Sequence, residues 1–280
     1  MSAREVLVTG ARGKTGREVV AQLAALGVPV RAGSSRPGEG AGTVRPALFD
    51  WDQPATWPDA VAGVDAVYLM RPDIEDAPAR VAELAAMTPD VHVVLLSEQG
   101  AERLADTSWE RSVELAVTDR VRTWTLLRPS WFHQVLTDPR YYLGSIRGEG
   151  VLPLSTGGAE FAFVDARDIA SVAVAALLDP AGSAGSAYEI TGPEGLTLDR
   201  IAELVAAASG RPVVATDPPV AEVVAGMEPW LADIYGGALQ RGRDGVFGNV
   251  TDDVERVTGR APISVTAFAK EHAALWRPES

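Results

Sequence analysis

A loop with three evenly spaced glycines, residues 9–16 (TGARGKTG), follows the first apolar run of the chain. In such a loop Gly10 permits the sharp turn from a strand into a helix, and Gly13 lets the backbone approach a ligand closely. Gly16 allows the following helix to pack tightly on the sheet. The first turn of that helix presents backbone N–H groups at the positive end of the helix dipole. The pattern therefore predicts a site for the pyrophosphate of a dinucleotide.

The segment at the second predicted strand, residues 31–36 (RAGSSR), contains no carboxylate. Sites that prefer NAD usually place an acidic residue about 20 positions beyond the glycines, where it holds the ribose 2′-hydroxyl. Arg36, together with Ser34, Arg31 and Arg12 from the glycine loop, can instead make charge-assisted hydrogen bonds to a 2′-phosphate. Arg31 is equally well explained as a solvated loop charge. We therefore predict NADPH or NADP+ as the cofactor, with NAD less favoured.

Strand-like apolar runs alternate with helical segments through residue 209. This alternation is typical of an α/β, Rossmann-type fold, a doubly wound parallel sheet with helices on both faces. Two runs, residues 64–70 and 91–96, are nearly unbroken apolar stretches and are predicted to be central strands. The predicted strands are 6–8, 28–31, 45–49, 64–70, 91–96, 124–127 and 187–190, and the predicted helices are 15–26, 77–87, 109–118, 165–178 and 197–209.

Proline and glycine limit the remaining segments. Pro29 suggests an edge position or the start of a strand, and residues 33–42 are predicted to form a loop. From residue 213 onward the pattern is weaker, and we assign this part to a small C-terminal lobe that covers the strand ends. The expected organisation is a single NAD(P)-binding domain, residues 1–280, with a Rossmann core mainly of 1–130 and 160–192 and a substrate-covering lobe mainly of 131–159 and 193–280.

Further motifs accompany the glycine loop along the chain. They are Phe49-Asp50, Leu95-Leu96-Ser97, LRPSWF at 127–132, FVDARDIA at 163–170, VTDDV at 250–254 and TGR at 258–260. Together these motifs resemble the NmrA-like branch of the atypical short-chain dehydrogenases/reductases. That family includes ergot-alkaloid-type iminium reductases and NADPH:quinone oxidoreductases, and the resemblance spans essentially the whole chain.

The resemblance implies roles for residues that follow the third, fourth and fifth strands. Asp50 would approach the adenine amino group, although it is otherwise explained as a turn residue. Leu69, Met70, Arg71 and Ser97 would flank the ribose and nicotinamide, in agreement with the rule that ligands bind beyond the carboxyl ends of parallel strands. The residues expected to bind the cofactor are Gly10, Arg12, Gly13, Lys14, Thr15, Gly16, Ser34, Arg36, Asp50, Leu69, Arg71 and Ser97.

Ordinary short-chain dehydrogenases use a tyrosine that donates a proton and a lysine four residues later that lowers the pKa of the tyrosine. This chain has two lysines, Lys14 and Lys270, and neither follows a tyrosine at that spacing. Hydride transfer would then suit an acceptor that needs little help from an enzymic acid. An iminium already carries its charge, and a quinone or conjugated enone can be protonated by water. We expect an NADPH-dependent reductase of such a small substrate, with a role in secondary metabolism.

The catalytic residue is not identified by the sequence, and three residues are candidates. Ser97 and Glu98 follow the fifth strand, where either could hydrogen-bond substrate and Glu98 could stabilise a cation. His133 could be a weak acid or substrate anchor, or a histidine packed in a loop. No metal site is predicted, because the histidines are far apart and cysteine is absent. The predicted substrate pocket consists of Met70, Trp131, Phe132, His133, Tyr142, Trp230 and Tyr235, although the aromatic members could equally be core residues.

Two other classes of function stay open. An NADP-binding redox sensor could report to a protein partner without turnover. A non-redox cyclase or isomerase could keep the dinucleotide as a structural element only. Consumption of the cofactor separates the reductase from both.

Composition sets the broad class of the protein. The chain is 46% apolar and 22% charged, as in globular proteins, and it has no cysteine, which excludes disulfides and thiolate chemistry. The net charge of −13 argues against a nucleic-acid partner, whereas residues 1–46 carry a local +4 that suits a small anionic ligand. Because the sequence shows no signal peptide and no long apolar span, we expect a cytoplasmic monomer or homodimer that does not bind membranes.

Overall fold

The computed structural model describes residues 4–277 and contains one large and one small β-sheet over that range. The strands are β1 (Val6–Val8), β2 (Val30–Ser34), β3 (Val44–Leu48), β4 (Ala66–Met70), β5 (His92–Leu96), β6 (Trp124–Pro129), β7 (Val151–Pro153), β8 (Ser186–Ile190) and β9 (Val214–Thr216). The large sheet has the order β3-β2-β1-β4-β5-β6-β8, and β7 pairs with β9 in the small one. Strands β1 to β6 pair in parallel, so their carboxyl ends lie at one edge.

Helices connect most of these strands, as a parallel sheet requires. Those of the described residues are α1 (Gly16–Ala25), α2 (Trp57–Val61), α3 (Ala77–Met87), α4 (Trp109–Thr118), α5 (Leu143–Glu149), α6 (Ala166–Leu178), α7 (Pro180–Ser183), α8 (Leu198–Ser209), α9 (Val220–Val223), α10 (Pro229–Arg243), α11 (Asp253–Thr258) and α12 (Val265–His272). Helix α8 illustrates how capping residues determine where a helix begins and ends. Its N-cap Thr197 accepts the N–H of Arg200, and it ends at Gly210, whose φ of 74° is left-handed.

The chain divides into two compact units. The first consists of residues 1–129 and 169–189, and the second of residues 130–168 and 190–280. Each has its own apolar core. In the first unit Leu7, Trp57 and Leu84 are members of a cluster that joins the sheet to α2, α3 and α4. In the second unit, Phe161 and Trp276 are fully buried members of the core.

The predicted α/β fold is confirmed, and most elements begin and end within two residues of their predicted bounds. The apolar runs predicted to be central are β4 and β5, in the middle of the large sheet. One of these element predictions was wrong. The predicted loop at 33–42 begins too early, because Gly33 and Ser34 pair with β3 as part of β2. Pro29 directly precedes β2, which is an inner strand of the sheet. Of the two positions predicted for Pro29, the start of a strand is therefore confirmed, whereas an edge strand is not.

Two motifs of the sequence meet in the second unit. Asp168, fully buried in the FVDARDIA motif, accepts a hydrogen bond from Nη1 of Arg260 at 2.9 Å. The backbone N–H of Ile263 donates to the other carboxylate oxygen at 2.7 Å. Asp168 therefore fixes the TGR segment through its side chain, in addition to its place in the first turn of α6.

Across residues 4–277, none of the helices combines the length and apolar character that crossing a bilayer demands.

Candidate active site

The glycine loop passes between β1 and α1 with little free space. Gly10 has φ 59°, a left-handed conformation that favours glycine. A Cβ atom on Gly16 would lie 2.2 Å from the carbonyl oxygen of Gly10, so α1 begins directly against the loop. A Cβ atom on Gly13 would lie 3.1 Å from the same oxygen and 3.3 Å from Sδ of Met70. A side chain at any of these positions would therefore force the loop or Met70 to move.

Polar side chains from β4 and the end of β1 anchor this loop. Oγ1 of Thr9 accepts the N–H of Met70 at 2.8 Å and donates to the carbonyl oxygen of Tyr68 at 3.2 Å. The fully buried hydroxyl of Tyr68 donates to Oγ1 of Thr15 at 2.8 Å. Burial raises the pKa of Tyr68 above its usual value, so this hydroxyl stays protonated and keeps its hydrogen bond. The loop is thus held rigidly against the sheet.

The backbone at the start of α1 offers hydrogen-bond donors. Within residues 4–277, the N–H groups of Arg12, Thr15 and Gly16 have no acceptor. Such donors at a helix N-terminus attract anions. This arrangement fits a pyrophosphate, which presents only acceptor oxygens there.

The end of β2 meets the glycine loop. The hydroxyl of Ser34 accepts the N–H of Arg36 at 3.1 Å and donates to its carbonyl oxygen at 3.2 Å. The guanidinium of Arg12 donates to the same carbonyl oxygen, also at 3.2 Å. Arg12 and Arg36 are both exposed, and the Arg12 guanidinium and the Ser34 hydroxyl meet at the backbone of Arg36, with no carboxylate among residues 31–36. This geometry can bind a phosphate beyond the end of β2.

Arg31 lies outside this group. Its side chain is 14% exposed, and Nη2 pairs with Glu5 at 2.6 Å. Nη1 donates to three carbonyl oxygens at the end of α2. Arg31 is therefore neither a phosphate contact nor a solvated loop charge, because its hydrogen bonds hold α2 to the sheet.

Asp50, two residues beyond β3, organises the turn that follows. Its carboxylate accepts the N–H of Asp52 at 3.0 Å and Nε2 of Gln53 at 2.8 Å. Its carbonyl oxygen accepts Nε1 of Trp57 at 2.8 Å. Asp50 therefore stabilises this turn, as the alternative explanation predicted, and its contact with adenine stays a prediction.

At the ends of β4 and β5, charged residues pair with each other. Nη2 of Arg71 donates to Oε2 of Glu98 at 2.8 Å, and its guanidinium carbon lies 4.3 Å from the centroid of the Trp109 ring. Nη1 of Arg71 also pairs with Asp73 at 3.1 Å. Leu69 is 1% exposed and belongs to the core of the first unit, so it can reach a cofactor only through its backbone.

A buried ionic cluster, Glu114 with Arg111 and Arg128, lies behind the end of β5. Arg128 donates from Nε and Nη2 to the two oxygens of Glu114, each at 2.8 Å. Nη1 of Arg111 donates at 2.7 Å, and Oγ of Ser97 also donates to Glu114 at 2.7 Å. Glu114 was not predicted as a site residue, and its only signal in the sequence is a charged residue on the apolar side of α4.

The environment of Glu114 favours its charged form. Burial opposes ionisation, but hydrogen bonds from Arg128, Ser97 and Arg111 outweigh it and lower the pKa of Glu114 below its usual value. The hydroxyl hydrogen of Ser97 is therefore engaged by a carboxylate, which argues against Ser97 as the proton donor of the site.

We expect acid to weaken folding through Glu114. Because its pKa in the folded protein lies below the value of about 4.3 for an unfolded glutamate, its ionised form stabilises the fold above that pH. This contribution is lost as the pH falls through the native pKa. Urea denaturation should show the free energy of unfolding falling more steeply below about pH 5 in wild type than in Glu114→Gln. Equal slopes for the two proteins would contradict this assignment.

Trp131, a predicted pocket residue of the second unit, lies within an aromatic group. Its ring centroid lies 5.8 Å from that of Phe161, 6.1 Å from that of Phe247 and 6.3 Å from that of Tyr235. Tyr142 is buried and hydrogen-bonded to Tyr235, and burial raises the pKa of both hydroxyls. Trp230, Phe132 and Tyr235 are half-buried, so they keep surface that a ligand can contact. Their role in binding substrate stays a prediction.

His133, proposed as an acid or substrate anchor, lies in the interior of the second unit, and that role stays a prediction. The side chain is fully buried, and its ring centroid lies 5.0 Å from that of Phe268. Nδ1 is 3.6 Å from Oδ2 of Asp165, too far for a good hydrogen bond. His133 is thus packed within its own unit, which was the alternative reading.

A sequence model described as NAD(P)H-binding matches residues 10–180, which begin at the first glycine of the loop. The chain belongs to this NAD(P)H-binding family.

Curated relatives cover nearly the whole chain. One is the (4-alkanoyl-5-oxo-2,5-dihydrofuran-3-yl)methyl phosphate reductase of Streptomyces griseus, 35% identical over 98% of this chain and 100% of the relative. Another is the NAD(P)H azoreductase of Xenophilus azovorans, 33% identical over 97% of this chain and 99% of the relative. Both of these relatives are named as reductases.

A solved structure shows the same fold. It is the NADPH-dependent quinone oxidoreductase QOR2 of Escherichia coli in complex with NADPH. The TM-score is 0.81 at 20% identity, over 95% of this chain and 99% of that one. These comparisons confirm the resemblance predicted from the motifs and the predicted NAD(P)H cofactor. The protein is an NAD(P)H-dependent oxidoreductase.

Proposed function

We propose that this protein is an NADPH-dependent reductase that delivers hydride to a small conjugated, quinone or iminium acceptor without proton donation by a Tyr–Lys pair. The observation that carries the proposal is the hydrogen bonding of the two polar side chains beyond β5, Ser97 and Glu98. Ser97 gives its hydrogen to Glu114 at 2.7 Å, and the carboxylate of Glu98 is held by Arg71 at 2.8 Å. Neither is available as an acid, so the acceptor must tolerate proton delivery from water or need none.

The chemistry of the acceptor follows from this constraint. When bound, the dihydronicotinamide supplies a hydride. The chain's residues hold the phosphates on the glycine loop, and correct positioning of the cofactor supplies much of the rate. A cationic or strongly conjugated acceptor can take the hydride without simultaneous protonation, whereas a simple ketone cannot.

The named relatives support this class of substrate. The dihydrofuran in the name of the Streptomyces griseus enzyme carries an alkanoyl group and a ring oxo group, so its ring double bond is conjugated with carbonyl groups. The azoreductase acts on a conjugated N=N bond. By analogy we place the substrate of this protein among small, electron-poor conjugated molecules.

Stopped-flow or steady-state absorbance at the dihydronicotinamide band tests the proposal. Purified protein is mixed with NADPH and with a quinone, an enone or a cyclic iminium, and a simple ketone serves as the negative control. We expect oxidation of NADPH by at least one conjugated or cationic acceptor and none by the ketone. Tight binding of NADPH without oxidation by any acceptor would favour the sensor, and conversion of substrate without oxidation would favour an isomerase.

The choice of NADPH over NADH should depend on Arg36. A charge-assisted hydrogen bond contributes roughly 1.5–3 kcal/mol, so Arg36→Ala should weaken binding of NADPH by about 10- to 100-fold. Binding of NADH, which lacks the 2′-phosphate, should change by less than about threefold. Fluorescence titration of both nucleotides measures the two dissociation constants.

Arg122→Ala is the matched control, because Arg122 is 77% exposed and pairs with Asp90 at 2.7 Å, away from the glycine loop. It should leave both dissociation constants unchanged. A similar loss of affinity for both nucleotides in Arg36→Ala would show that Arg36 does not read the 2′-phosphate.

A further inference from the structure

Glu114 on α4 is fully buried and accepts four hydrogen bonds. Three come from guanidinium groups, and the fourth comes from Oγ of Ser97. Arg128, itself only 9% exposed, makes two parallel bonds to the carboxylate, a geometry that is both strong and directional. The carboxylate is therefore fixed in position before any ligand binds.

This fixed carboxylate determines the orientation of the Ser97 hydroxyl. A hydroxyl has one hydrogen and two lone pairs, and the hydrogen of Ser97 is directed at Glu114. The backbone N–H of Ser97 is also engaged, because it donates to the carbonyl oxygen of Leu127 at 2.7 Å. Ser97 keeps 7% exposure, so what it can offer to a ligand is the lone pairs of Oγ.

The topology of the sheet places Ser97 on the nicotinamide side of the candidate cofactor site. The glycine loop follows β1, and the Ser34–Arg36 group follows β2 on one side of it. Strands β4 and β5 lie on the other side of β1, and Ser97 follows β5 directly. A dinucleotide whose 2′-phosphate lies at β2 and whose pyrophosphate lies at β1 extends its nicotinamide toward β4 and β5.

We propose that Glu114 is a positioning residue that holds Ser97 as a hydrogen-bond acceptor, so that the group bound against Ser97 is an N–H donor. This inference rests on the proposed function for the placement of the cofactor. Two N–H donors have the required chemistry, the carboxamide of the nicotinamide and the protonated nitrogen of an iminium substrate. If the substrate nitrogen is the group that binds Ser97, the site favours an acceptor that carries N–H over one that presents only oxygen lone pairs.

The proton balance agrees with this polarity. The iminium carbon accepts the hydride, and the electron pair of the C=N bond moves to nitrogen. The product is a neutral amine whose N–H is unchanged, so no proton leaves Ser97 or Glu114. A carbonyl oxygen against Ser97 would instead place lone pairs against lone pairs.

The first arm of the test measures binding without turnover. Dissociation constants are determined for NADP+ and for its 3-acetylpyridine analogue, in which an acetyl group replaces the carboxamide and removes its N–H donors. If the carboxamide binds Ser97, the preference of wild type for NADP+ over the analogue should fall by about five- to tenfold in Ser97→Ala. Ser97→Thr, which keeps the hydroxyl, should restore it.

The second arm measures substrate preference. The ratio of kcat/KM for a cyclic iminium with N–H to that for its N-methyl counterpart is compared between wild type and Ser97→Ala. If the substrate nitrogen binds Ser97, this ratio should fall by about five- to tenfold, again with restoration by Ser97→Thr. Glu114→Gln, whose amide can donate to Ser97 and turn the serine hydrogen outward, should lower whichever ratio Ser97→Ala lowers.

The controls separate this inference from loss of the fold and from failure of the proposed function. Ser112 lies on the same helix, and its hydroxyl donates to the carbonyl oxygen of Asp106, so Ser112→Ala should leave both ratios unchanged. The Ser97 variants keep the Glu114–Arg128 pair and carry the test if Glu114→Gln does not fold. If none of the acceptors supports oxidation of NADPH by the wild-type protein, the proposed function fails. The NADP+ arm still tests Ser97 in that case, because it measures binding without turnover. Unchanged ratios in both arms would overturn the inference.

Discussion

Replacing Gly16 by alanine should abolish tight binding of NADPH. The new Cβ atom would lie 2.2 Å from the carbonyl oxygen and 2.9 Å from the carbonyl carbon of Gly10, both backbone atoms that no side-chain rotation can move away. The start of α1 must then shift off the loop, and its N–H groups lose their alignment toward the pyrophosphate. We expect the dissociation constant to rise at least about 100-fold, as for the loss of two or more charge-assisted hydrogen bonds. Fluorescence titration measures it.

Folding should also suffer in this variant, because overpacking costs about 1–3 kcal/mol. Gly144→Ala is the matched control. Gly144 lies on α5, and a Cβ atom there would have no neighbour within 4 Å, so binding should be unchanged. A folded Gly16→Ala protein that binds NADPH as tightly as wild type would show that the loop does not hold the pyrophosphate.

The first unit was largely predictable because its signals are local. The glycine loop, the apolar runs of β4 and β5, and the bounds of α3 and α4 all follow from short segments of sequence. The segment beyond residue 213 was assigned only as a lobe, and its 15-residue helix α10 was missed. That helix contains Gly236, Gly237 and Gly242, which disfavour helix formation, and its packing against α9 and the turn at Val246–Gly248 outweighs this propensity.

The site was predictable only in part, for a related reason. Residue types indicated Arg12, Ser34 and Arg36 as the candidate phosphate-binding group, because Arg12 lies in the glycine loop and the segment at 31–36 has no carboxylate. Side-chain partners were not visible in the sequence. It could not show that the hydrogen of Ser97 goes to Glu114, or that Glu98 pairs with Arg71, since each pair joins segments distant along the chain.

Replacing Glu114 by alanine should cause the largest loss of stability of any substitution considered. Arg128, only 9% exposed, would lose its bidentate partner, and removing one member of a buried ion pair costs about 3–5 kcal/mol. Arg128 also pairs with Glu102 at 3.2 Å, a half-buried carboxylate that can compensate only in part. Urea denaturation should show the free energy of unfolding reduced by that amount.

The double variant Glu114→Leu with Arg128→Met distinguishes an unpaired charge from a general loss of packing. If the cost of Glu114→Ala comes from burying an uncompensated guanidinium, replacing both partners by apolar residues of similar size should recover most of the stability. The recovered protein should still bind NADPH, because neither residue belongs to the phosphate-binding group. Its preference for an N–H donor at Ser97 should nevertheless stay lost, since the carboxylate that orients that hydroxyl is gone. A double variant as unstable as Glu114→Ala would instead assign the cost to packing around α4.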